Sequence, residues 1–157
     1  MSTPNSILKM YNKLAGYPGG KRLFALAVCR KAPYFGTVSP RLQELRENYA
    51  EAVLIKRRKL ENHIGTVHVI AICNGLEFVM GVLAEASIPS HLRWIPKGMD
   101  VQYTAKANSD IRVIAEVDDG AWENGPAVEV RVKALRDDDT VVVEGSIHLW
   151  VTEKPQA

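Results

Sequence analysis

Between Ile64 and Ala84 the chain carries a single formal charge, Glu77, and no proline, while good helix formers such as Ala71, Leu76, Met80 and Leu83 recur through it. This pattern predicts a helix over 64–84, stopped by Ser87-Ile88-Pro89 because a proline disfavours helix at the residue before it. Apolar residues fall on every side of the segment, so the helix is expected to be enclosed by other elements. The rival reading is a membrane-crossing helix, since about 20 apolar residues span a bilayer and the basic run Lys56-Arg57-Arg58-Lys59 precedes it. His68, Asn74 and Glu77 inside the segment count against that reading, because polar and ionisable groups are costly in hydrocarbon.

The rest of the chain supplies something to do the enclosing. Met99, Val101, Tyr103, Ala105 and Ala107 alternate with Asp100, Gln102, Thr104 and Lys106, the period of a strand with one buried face. Ile111 to Val117 and Val128 to Ala134 repeat the alternation, and Thr140 to Thr152 forms the last strand. Two further strands are expected before the helix, Val38 to Arg46 and Tyr49 to Lys56. Connections this short force antiparallel neighbours. The economical packing is an α+β domain in which a curved antiparallel sheet of about five or six strands wraps one long central helix, the hotdog arrangement.

Ahead of this lie two short helical candidates, Ser6 to Ala15 and Lys21 to Arg30, broken by Gly16-Tyr17-Pro18-Gly19-Gly20. Residues 1–32 thus read as an N-terminal helical cap and 33–157 as the hotdog domain, one domain overall. The length of 157 residues suits a single core. A net charge of +2 is too mild for a nucleic-acid binder. Cys29 and Cys73 have no spacing that suggests a disulfide framework or a metal site, which points to a reducing, cytoplasmic compartment. The apolar stretch Leu23 to Cys29 after Lys21-Arg22 resembles a lipoprotein signal but is short, and Val28 is bulky for a cleavage site.

Two features could carry chemistry. A lone carboxylate in an apolar helix is expected to lose solvation, which raises its pKa and suits Glu77 to proton transfer; the alternative is a glutamate that reaches solvent or a basic partner. The segment Asn62-His63-Ile64-Gly65-Thr66-Val67-His68 can present free backbone N–H groups at the positive end of the helix, a place for an oxyanion; the alternative is ordinary capping and a satisfied core histidine. His68 and Glu77 are nine positions apart. On one unbroken helix that puts them on opposite faces, about 13 Å apart along the axis. If both serve one substrate, the helix start of one subunit must meet Glu77 of another, which calls for a two-fold homodimer; further pairing into tetramers is left open. Trp122 reads as a loop ornament or dimer contact and Trp150 as an edge or interface aromatic.

The pattern Asn62, Gly65, His68 and then Glu77, with Leu76 beside it, resembles the N-x-x-G-x-x-H and L-[AS]-[DE] signature of hotdog acyl-CoA thioesterases of the phenylacetate-pathway type. Pro33-Tyr34-Phe35-Gly36 and the strand meander make residues 33–152 similar to a bacterial hotdog family of unknown function presumed to be thioesterases. The resemblance implies hydrolysis of acyl thioesters, with Glu77 as base or nucleophile, the Val69 amide holding the oxyanion, Asn62 orienting water or carboxylate, and His68 shaping the carbonyl site. Gly65, Val69, Cys73, Asn74 and Gly81 would line the substrate. Arg57 and Arg58 would receive the phosphates of coenzyme A, although a solvated edge is the plainer reading of that run. No cofactor or metal is implied; coenzyme A, or an acyl carrier, comes with the substrate. The chain departs from the thioesterase pattern in reading His68-Val69-Ile70 where His-Gly-Gly is expected. Those bulky residues favour the alternative function, a non-catalytic hotdog that binds an acyl group, coenzyme A or a partner. A hotdog dehydratase would need an Asp/His pair that this chain lacks.

Overall fold

The computed structural model describes residues 5–155; the first four residues of the expected cap and the last two of the expected domain lie outside them. The elements are α1 (Ser6–Ala15), α2 (Gly20–Lys31), β1 (Arg41–Arg46), β2 (Tyr49–Leu54), α3 (Val69–Ser87), β3 (Leu92–Tyr103), β4 (Ile111–Glu116), β5 (Ala127–Leu135) and β6 (Val141–Glu153). All six strands join one antiparallel sheet in the order β1-β2-β4-β5-β6-β3.

The helix is α3, and eleven of its residues are buried, among them Ile72, Leu76, Phe78, Val79 and Leu83, with the sheet as the main cover. That burial inside the domain accounts for its hydropathy, although by length and composition α3 could cross a bilayer. Gly75 lets α3 approach the sheet closely, because a Cβ there would stand 2.8 Å from Leu54 Cδ1.

Several boundaries differ from expectation. The helix begins at Val69 rather than Ile64, since Asn62, Gly65 at φ +76° and Thr66 build a tight turn and His68 caps the helix in an extended conformation. It runs on to Ser87 because Pro89 forbids helix only at Ile88, which has ψ 136°. The first strand starts at Arg41, after a 3-10 turn over Pro33–Thr37 and Ser39 at φ 49°. The second ends at Leu54, short of Lys56. The strand expected to begin at Met99 begins at Leu92 and passes through Pro96, tolerated because β3 is an edge strand with a register shift between Pro96 and Gly98.

The N-terminal helices are bonded into the core rather than resting on it. Phe24 is 2% exposed and meets Tyr11 edge to face with ring centroids 5.3 Å apart. Asn5 Oδ1 accepts the Leu8 N–H at 3.0 Å and so starts α1.

Trp122 lies in the loop between β4 and β5 as expected, but it is buried, 4% exposed, rather than an ornament or contact on the surface. Its Nε1–H donates to Asn48 Oδ1 at 2.8 Å. Asn48, at φ 60° between β1 and β2, also donates from Nδ2 to Asp119 Oδ1 (2.9 Å) and from its backbone N–H to Ser87 Oγ (2.8 Å). One residue, through its side chain and its backbone N–H, therefore ties a turn, a loop and the end of α3. Asn48→Ala should cost about 2–3 kcal/mol in urea unfolding, because it orphans the indole N–H and places alanine at positive φ. Asn48→Gly should recover only the backbone share; equal stability of alanine variant and parent would refute the account.

Candidate functional site

The sequence-predicted residues fall into separate groups. Asn62 is spent on the turn: its Oδ1 accepts from the Ile64 and Thr66 amides, each at 3.1 Å, and its Nδ2 donates to Thr66 Oγ1 at 2.8 Å. It builds the loop before α3, and its second Nδ2 hydrogen is the side-chain donor left without a partner among the described residues. Gly65 serves the same turn through its positive φ.

His68 stands at the helix start. Its Nδ1 accepts the Ile70 N–H at 3.1 Å, so the neutral ring carries its proton on Nε2 and presents a donor away from the helix. The ring is exposed, and no described residue accepts the Val69 N–H. A cavity of about 370 Å³ opens here, bounded by His68, Ile70, Asn74, Tyr34, Thr37 and Lys59 among others. Asn74 is 7% exposed; its Nδ2 donates to the Tyr34 carbonyl (3.2 Å) and Thr37 Oγ1 (3.1 Å), while its buried Oδ1 has no donor among the described residues. A buried acceptor without a donor costs free energy that a water or ligand N–H could offset.

Glu77 does not lie enclosed. Along α3 a stripe formed by Ile70, Cys73, Glu77, Gly81 and Glu85 stays partly or fully exposed, the spacing of one helix face. The expectation of a helix enclosed on all sides, with a desolvated carboxylate, is thus corrected: this chain leaves one face of α3 uncovered. Glu77 accepts no hydrogen bond from a described residue and forms part of the wall of a groove of about 560 Å³. The rest of that wall is mostly apolar, from α1 and α2 (Met10, Phe24, Ala27, Val28), from α3 (Met80, Gly81) and from β3 (Trp94, Pro96), with Lys31 and Glu85 the other charged residues. Glu85 is held by the Trp94 Nε1–H at 3.0 Å, and the Trp94 ring lies 3.9 Å from where a Gly81 Cβ would be. Phe35 meets Phe78 edge to face, fixing the 3-10 turn to α3 between the two cavities. Burial pushes the Cys73 thiol up, so it stays protonated and offers an apolar surface rather than a nucleophile.

The basic run splits. Lys56 pairs with Glu61 at 2.7 Å, Lys59 reaches the His68 cavity, Arg57 lines a third cavity with Arg22 and Arg41, and Arg58 lines none of the three. Sequence reading missed Tyr34 and Thr37 as partners of Asn74, Trp94 on the groove wall that Glu77 shares, and Arg22 and Arg41. Trp94 and the two arginines stand in no motif, so only the fold gathers them.

This fold, with its helix-start cavity and groove, is that of a thioesterase-like hotdog protein. The chain belongs to the family described as "Domain of unknown function (DUF4442)", which matches residues 20–151. A structural-genomics crystal structure is similar at 39% identity, covering 94% of this chain and 97% of the other with a TM-score of 0.80. A Pseudomonas aeruginosa protein named as of unknown function, "Probable Thioesterase", is 22% identical, with coverage of 88% and 97% and a TM-score of 0.72. A Haemophilus influenzae thioesterase shares the fold at 8% identity, with coverage of 81% and 87% and a TM-score of 0.70. No curated protein matches the sequence.

Proposed function

We propose that the protein hydrolyses acyl thioesters, acyl-CoA or an acyl-carrier conjugate, as a homodimer. The observation that carries this reading is Glu77, a carboxylate without a partner among the described residues, on the wall of an otherwise mostly apolar groove, in a fold shared with thioesterases. Glu77 takes a proton from water as the water oxygen attacks the thioester carbon. The Val69 N–H and the His68 Nε2–H of the second subunit hold the oxyanion. The C–S bond then breaks, the sulfur takes up the proton, and a free thiol and a carboxylic acid leave. Pairing is supported by the uncovered α3 face and by the free outer edge of β3, both of which a second copy would cover. A cytosolic location goes with this reading.

The groove, within the size range of small-ligand sites, takes the acyl chain. With each added methylene buried, kcat/KM should rise about fourfold until the groove is full. Ala27→Trp, at an exposed α2 position on the groove wall, should move that break to shorter chains. The check is thiol release from a panel of short, long and aromatic acyl-CoAs. A flat, zero response with measurable coenzyme A binding would support the second reading, a non-catalytic acyl or coenzyme A binder, which is favoured by Ile70: bulky, 54% exposed and beside His68, where the thioesterase pattern has glycine.

A further inference from the structure

Between α2 and the start of β1 lies a third cavity, of about 270 Å³, apart from the groove that holds Glu77. Its floor is apolar, with Ala25, Val38 and Pro40 buried and Ile55 half-buried, and three arginines, Arg22, Arg41 and Arg57, stand around it. No carboxylate lines it, and none of the three arginines forms an ion pair with a described residue. Arg57 is steadied by donating from Nη2 to Ser39 Oγ at 3.0 Å, so its guanidinium is held in place without being neutralised. Three unneutralised guanidinium groups around an apolar floor suit a ligand with a flat ring and several phosphate oxygens, because arginine binds phosphate through paired N–H donors and the ring buries against the floor.

The cavity also has a place in the path of the substrate. Val38 is shared with the cavity at the start of α3, where His68 and Asn74 stand, the helix start that meets the Glu77 groove of the second subunit in the proposed dimer. From arginines through polar groups to an apolar groove, the order of surroundings is that of an acyl-CoA molecule read from its nucleotide to its acyl chain.

We propose that Arg22, Arg41 and Arg57 form an adenosine-phosphate site that receives the nucleotide end of coenzyme A, so that the acyl carrier is coenzyme A itself rather than a carrier protein. The inference rests on the thioesterase reading for its role in turnover, and on the cavity alone for its binding chemistry. Two measurements separate these. In the first, calorimetry follows adenosine 3′,5′-bisphosphate binding to the full chain, to the triple variant R22Q/R41Q/R57Q, and to Arg30→Gln, an exposed arginine that lines none of the three cavities described. The parent and Arg30→Gln should bind alike and the triple variant about tenfold or more weaker. In the second, the triple variant should raise KM for an acyl-CoA about tenfold or more at unchanged kcat, yet leave the matching acyl-N-acetylcysteamine thioester, which lacks the nucleotide, as the parent handles it.

Equal bisphosphate binding by parent and triple variant, or none by the parent, overturns the site. So does an equal loss on both thioesters. Should the parent cleave neither thioester, the hydrolase reading falls, and the bisphosphate titration still decides the cavity.

Discussion

Glu77→Gln is expected to lower kcat for the best acyl-CoA by about 10²- to 10⁴-fold, the range that a positioned proton acceptor contributes. Glutamine keeps the size of the side chain and removes its capacity to take a proton from water. Stability should hardly move, because Glu77 is exposed and accepts no hydrogen bond from a described residue, and surface changes of that kind stay within about 0.5 kcal/mol. The pairing of a collapsed rate with an unshifted Tm is what distinguishes a chemical role from a structural one. A variant that releases thiol at the parental rate removes Glu77 from the reaction.

The second large effect concerns stability. Gly145 sits within β6 at φ +156°, paired with Val101 on one side and Val132 on the other. A Cβ there would lie 2.0 Å from the Asp100 carbonyl oxygen and 2.7 Å from Val101 Cα, backbone atoms that cannot turn aside as a side chain would. Gly145→Ala must therefore push β3 away from β6, and should destabilise by about 3 kcal/mol or more. For a chain of this size that is a fall in Tm of roughly 6–12 °C. A parental Tm in the alanine variant would mean that the two strands separate there without loss.

The wrapped helix, the meander and the two N-terminal helices were legible in the residues because each rests on a local signal: the apolar run ending before Pro89, the period-two alternation around Val130, and the breaker at Gly16 to Gly20. The start of α3 was not. Ile64 and Val67 look like helix in an apolar count, yet the side-chain bonds of Asn62 and the positive φ of Gly65 turn the chain first. Strand β3 was read short because Pro96 is a breaker anywhere except at a sheet edge, and edge position is a property of the whole topology. The same holds for the site. The spacing of His68 and Glu77 was visible, whereas the uncovered face of α3, the donorless Asn74 Oδ1 and the meeting of Arg22 and Arg41 with Arg57 depend on elements far apart in sequence. The burial of Trp122 is hidden from the sequence for a related reason, since Asn48, its partner, is 74 residues away.

The strand order has a bearing on biosynthesis. Among the described residues β3 pairs with β6 alone, a strand that begins 38 residues after β3 ends, and the register runs from Leu92 opposite Glu153 to Tyr103 opposite Val143. While the ribosome is still translating, β1, β2 and β4 can already zip together around α3, but β3 waits with both ladders open until the C-terminal strand emerges. The sheet is thus complete only once β6 has been made, and for that interval an unpaired ribbon bearing Trp94 and Ile95 is the part most in need of chaperone shelter.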